Sequence, residues 1–182
     1  SAAVKEFDLP SNLKLSIHSG SDKFSIYRCI RDTLRKFDAG VHVKTAGTTW
    51  LEELMGLALA GGEGLEIAGE IYRSALDRYE ELCEPYSTVI DIDRAALPPP
   101  DDVSGWTPEE FASALRHDPR CRTYSLHLRQ LLHVAYKVAA DMGDRFMKAL
   151  DDHAGVISEN VTANLYERHI QPIFVDLREV KK

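Results

Sequence analysis

The chain has 182 residues, enough for one domain with a sizeable core. Apolar residues make up 44% and charged residues 28%, a soluble globular composition, and the net charge of -7 argues against broad electrostatic binding to nucleic acid or to an anionic membrane. No apolar run is long enough to span a bilayer, and "SAAVKEFDLP" lacks the basic start and apolar core of a secretory leader.

Residues 1–3 read as a cloning remnant. Leu13, Leu15 and Ile17 alternate with Lys14, Ser16 and His18, which predicts a strand ending on His18. A turn through Ser19, Gly20 and Ser21 follows, then a helix with the stripe Tyr27, Ile30, Leu34 and Phe37, closed by a left-handed Gly40. The unit repeats. "VHVKTAG" alternates about His42 and Lys44, and a helix is expected from about Trp50, with Thr49 and Glu52 at capping-box spacing and Trp50 packed on the sheet. "AGGEG" breaks that helix, and a longer one runs to Pro85. "STVIDID" (Ser87 to Asp93) predicts a third strand, and residues 13–93 therefore read as βα units. After the rigid "LPPPDDVSGW", Thr107, Pro108 and Glu110 mark a helix start, and residues 107–174 read as mainly helical, with Pro172 ending the last helix, Ile157 to Ile170. The whole is one domain of α/β class, with parallel strands followed by a helical C-terminal region.

Sites in such sheets lie at the C-terminal strand ends, where His18 and His42 fall on successive strands. Two imidazoles there suit a divalent metal that takes a third ligand elsewhere. They equally suit strand ends bonded to backbone. "HSGSDK" and "KTAGTT" each place small polar residues before a helix, as an anion cradle or as ordinary N-caps. Asp91 and Asp93 read as solvated carboxylates sooner than as ligands or acid/base groups. His127, His133, His153 and His169 read as surface, supporting or structural groups. Cys29, Cys83 and Cys121 form no CxxC and predict reduced, mostly packed thiols in a cytoplasmic protein.

"LKLSIHSGSDKFSIY", "HVKTAGTTWLEEL" and "ENVTANLYERHIQPIF" resemble, in order and spacing, the C-terminal part of the tagaturonate epimerase family, from about Leu13 to Phe174. The middle, around "STVIDIDRAALPPP", resembles it less closely. The resemblance implies a TIM-barrel-like fold and a sugar-acid isomerase of hexuronate metabolism that interconverts D-tagaturonate and D-fructuronate. It further implies a divalent metal (Zn, Ni, Mn or Fe) held by His18 and His42, with Ser19, Ser21, Lys44 and Thr45 binding the ketouronate carboxylate. The two ketouronates differ at a carbon β to the ketone, which favours retro-aldol opening and re-addition over simple deprotonation. No GxGxxG is present for a nicotinamide cofactor. Family members are more than twice as long, so the chain reads as a C-terminal half whose catalytic acid and base lie in the absent N-terminal half. Open sheet edges then predict self-association or pairing with that half. Two alternatives are another metal-dependent sugar isomerase or aldolase on the same fold, and a non-catalytic sugar-acid or anion-binding half-domain.

Overall fold

Two strand–helix units begin the fold, and helices make up the rest. The computed structural model describes residues 2–10, 12–18 and 22–175; Ser19, Gly20 and Ser21 lie outside the described residues. A short helix α1 (Ala2–Glu6) precedes β1 (Leu15–His18), α2 (Phe24–Phe37) and β2 (Val41–Lys44). The strands pair in parallel, Leu15 opposite Val41 and His18 opposite Lys44. Helix α2 closes on Asp38 rather than Gly40, with Asp38 in the left-handed region at φ 46°. Gly40 instead gives room to Lys14, whose Cε would stand 2.9 Å from an added Cβ.

Helix α3 (Ala46–Leu59) begins a turn earlier than expected. Thr49 is not its cap: its hydroxyl donates to the Thr45 carbonyl at 3.2 Å, inside the first turn. The helix is apolar nearly all round, with Leu51, Leu54, Met55, Leu57 and Ala58 buried, so it lies at the centre of the molecule. Left-handed Gly61 and Gly62 turn the chain into α4 (Gly62–Asp77), and α5 (Tyr79–Cys83) follows. Then come α6 (Pro100–Ser104), α7 (Pro108–Leu115), α8 (Leu126–Val134), α9 (Tyr136–Asp141), α10 (Asp144–Asp152) and α11 (Ala154–Thr162). A π-helix, Ala163–Ile170, runs straight into α12 (Gln171–Phe174). Pro172, the second residue of α12, lies within this continuous helical run and does not end it. Helices α4, α7, α8 and α11 pack around α3. Trp50 joins α3 to this bundle instead of to the sheet: its indole N–H donates to the Leu132 carbonyl at 2.8 Å, and its ring lies 5.9 Å from Phe146.

The capping box forms as the sequence predicts, with Thr107 Oγ1 accepting from the Glu110 amide at 3.2 Å and Glu110 Oε2 from the Thr107 amide at 2.7 Å. The third strand does not form. Among the described residues the sheet has two strands, and residues 87–93 are turn and irregular chain. Side chains of α8 take the backbone groups a strand would have offered. Gln130 Oε1 accepts the Asp91 N–H at 3.2 Å, and His127 Nδ1 the Asp93 N–H at 3.0 Å. The Asp93 carboxylate caps a following 3-10 turn through the Ala95 N–H at 2.9 Å. The architecture is thus mixed α/β, with a small parallel sheet beside a large helical body. No described helix is long and apolar enough to cross a membrane. The cysteines are free thiols, and only Cys83 is buried, where mostly packed thiols were expected.

Helices α3 and α11 touch at Gly56, where an added Cβ would stand 2.7 Å from Ile157 Cα. Backbone cannot swing aside as a side chain can, so Gly56→Ala is expected to lower stability by about 1–3 kcal/mol in urea unfolding.

Candidate functional site

The strands place His18 and His42 on one face. Residues paired across a parallel ladder point the same way, and Ser16 pairs with His42 while His18 pairs with Lys44. Ser16, His18, His42 and Lys44 therefore share a surface, with the histidines as diagonal neighbours, both exposed. As a metal centre the pair supplies two donors. Among the described residues no group of three or more His, Cys, Asp or Glu side chains is arranged to hold a metal ion. The donor chemistry fits two corners of a site, and a third ligand has to come from elsewhere.

His18 also opens onto a cavity of about 680 Å³, which His42 does not line. Its walls are the His18 strand end, Lys23, Ala46 and Gly47 at the start of α3, Trp50, residues of the 86–90 segment, and Gln130, His133 and Tyr136. Lys44 and Thr45 lie beside this cavity in sequence but do not line it; Thr45 is the first residue before α3 and makes no side-chain cap there. Ser19 and Ser21 lie outside the described residues. One face of α8 is a cavity wall: Gln130 and His133, three residues apart, fall on it. Burial, reinforced by the charge of Arg129, holds the His133 imidazole below its ordinary pKa against the opposing pull of Asp22, while Lys23 adds to the lowering. His133 is accordingly a neutral base at neutral pH.

A buried polar cluster, which sequence reasoning missed, anchors this cavity. Asp22 lies just before α2 and holds φ at 52°, a left-handed conformation that aspartate tolerates better than most residues. Its carboxylate accepts from the Thr48 hydroxyl at 2.8 Å and from the Arg129 guanidinium at 2.5 Å. His117 Nδ1 and His169 Nε2 each stand 3.5 Å from it, too far for a good hydrogen bond but close enough for attraction when protonated. Burial alone would raise the Asp22 carboxyl, but His117, Arg129, Thr48 and His169 together hold it below the usual range. Glu52, on the same side of α3, accepts from Asn164 Nδ2 at 2.9 Å. Burial pushes its carboxyl up to about 7, against the pull of Arg129 and with the help of Asp22, while Arg168 and Arg116 oppose the rise. The only sequence signal for this cluster was an aspartate at the end of "SGSD" and an arginine amid the apolar stripe of α8.

A carboxyl whose folded pKa lies above its unfolded value binds more protons folded than unfolded. Stability is then lost as pH rises between the two values, here from 4.5 to about 7. Glu52→Gln keeps the oxygen that Asn164 uses and removes the titration. It is expected to match the parent below pH 4.5 and exceed it by about 3 kcal/mol above pH 7, read from urea unfolding across that range. Asp22→Ala strands the Arg129 charge in the interior and is expected to cost about 3–5 kcal/mol.

Comparison with known proteins agrees with the resemblance noted in the sequence. A tagaturonate epimerase (UxaE) family profile matches residues 5–173. A tagaturonate/fructuronate epimerase of Thermotoga maritima is 32% identical over 160 residues, covering 86% of this chain and 29% of that protein. Two crystal structures of fructuronate-tagaturonate epimerase UxaE from Cohnella laeviribosi, one native and one with glycerol, superpose with TM-scores of 0.68 and 0.69 at 26% identity, covering 94% of this chain and 32% of theirs. The chain thus spans about three-tenths of the length of these relatives, less than the half expected from the resemblance. With most of its length matched by the family profile, the chain belongs to the tagaturonate epimerase family.

Proposed function

We propose that this chain supplies one wall of the site of a fructuronate/tagaturonate epimerase, and that the wall is the cavity between β1, α3 and α8. The observation that carries this reading is the cavity's lining: two imidazoles, an amide and the Lys23 ammonium set against the apolar Trp50, with no Asp or Glu among them. Such a surface suits a small polyhydroxylated acid, because donors meet its oxygens, an apolar face meets its C–H side and no carboxylate repels it. His133, neutral and cavity-facing, is the base this chain offers toward a substrate hydroxyl.

His18 and His42 are proposed as two ligands of a divalent cation, the remaining ligand coming from outside the described residues. When bound, such an ion supplies Lewis acidity toward the ketone and the neighbouring hydroxyl of a ketouronate. Ser19, Ser21, Lys44 and Thr45 remain proposed contacts of the substrate carboxylate. The two-stranded sheet is proposed as part of a TIM-barrel-like wall, the chain as the C-terminal part of the longer protein, and its open edges as the surface that pairs with the rest or with a second copy. A cytoplasmic location is proposed with this reading.

The test is a titration of D-fructuronate into the chain, following the histidine Cε1–H resonances by NMR. Saturable shifts are expected at His18 and His133, with His153 still. Resonances that stay still at both of the first two overturn the assignment. For the metal, the chain is dialysed against Mn, Ni or Zn and its retained metal measured; His18→Ala and His42→Ala are each expected to lower it, and equal retention removes them as ligands.

A further inference from the structure

We propose that Gln130 is a specificity-determining residue of the cavity, and that its side-chain N–H₂ reads a carboxylate oxygen of the ligand. The inference rests on the ketouronate reading of the cavity. The Gln130 amide has one acceptor and two donors, and its orientation is set by a neighbour. The Asp91 backbone N–H can only donate, and it lies 3.2 Å from the Gln130 oxygen. That contact commits Oε1 to the protein and turns Nε2 away from the 90–93 segment. Gln130 also lines the cavity, and the end of its amide that does not hold the Asp91 N–H is a pure donor.

The surroundings fix what kind of oxygen that donor meets. Lys23 shares the cavity, its ammonium giving one of its three donors to the His18 carbonyl at 2.6 Å. The hydroxyls of Tyr86 and Tyr136 lie 3.2 Å apart, so one donates to the other and a single O–H of the pair is left to donate elsewhere. A fixed donor, a cation and an acid-free lining favour an anionic group over a neutral hydroxyl. Gln130 therefore separates a sugar acid from the neutral sugar of the same skeleton. A site built to donate loses most when its donor is replaced by an acceptor.

The experiment compares the chain with Gln130→Glu, which keeps an oxygen for the Asp91 N–H and replaces the donor with a charged acceptor. Binding of D-fructuronate and of D-fructose is measured by calorimetry. Fructuronate affinity is expected to fall about tenfold or more in the variant, while that for fructose changes less than about twofold. As a check independent of the variant's folding, the Gln130 side-chain ¹⁵N–H₂ resonances of the unaltered chain are expected to shift on adding fructuronate and to stay still with fructose. Fructuronate that binds the chain and moves neither the variant's affinity nor those resonances overturns the Gln130 assignment alone. No saturable binding of fructuronate to the chain overturns it together with the reading of the cavity.

Discussion

The contact on which the rest of this structure depends is the buried pair of Asp22 and Arg129. It joins residues far apart in sequence, one between β1 and α2, the other in the middle of α8. The same guanidinium donates to the Leu115 carbonyl at 2.7 Å, where α7 ends, and the same carboxylate takes the Thr48 hydroxyl from α3. Four segments are thus fastened around two side chains. Removing two charges from water costs several kcal/mol each, and the attraction between them repays that only when the geometry is good and the remaining polar atoms are satisfied. What the pair adds is placement: the small sheet and the helical body can meet in one arrangement and not in neighbouring ones.

That arrangement sets the electrostatics of the cavity. Arg129 lies behind it and helps keep His133 neutral, while Asp22 is spent on Arg129 and does not line it. A protein with a net charge of -7 thereby keeps a cavity with no acidic lining. Phe24 completes the packing beneath. Its ring meets Tyr27, His117 and His169 at 5.4–5.7 Å, and the Arg168 guanidinium lies 3.9 Å from its centroid. Aromatic and cationic groups stacked in this way hold α2 against the π-helix without adding an unpaired charge.

Local signals carried the parts of the fold that local physics decides. The two strands, the alternation that brings His18 and His42 to one face, and the Thr107 capping box follow from spacing and from one turn of backbone. The third strand failed for a reason that spacing does not contain. "STVIDID" has strand composition, but its N–H groups found acceptors on Gln130 and His127 before they found a strand. Trp50 was similarly ambiguous, because an indole N–H takes whichever carbonyl the tertiary structure brings, here that of Leu132. The cavity was half legible. His18 stood out at its strand end, whereas His133 read only as a surface, supporting or structural group. A polar helix face against water and one against a polar cavity have the same periodicity.

The exposure of the strands bears on how much of a site this chain can hold. Parallel sheets are ordinarily covered on both faces, because each face carries side chains that need packing. Here Leu15 is 79% exposed and the histidine face is open as well. An apolar side chain so exposed on a strand is one that the described residues leave unpacked. The cavity differs in this respect. Its α3 and α8 walls are joined through the Trp50 N–H on the Leu132 carbonyl and through Asp22, which accepts from both Thr48 of α3 and Arg129 of α8. The polar groups of that lining are therefore fixed by contacts within this chain: Lys23 by the His18 carbonyl and Gln130 by the Asp91 N–H.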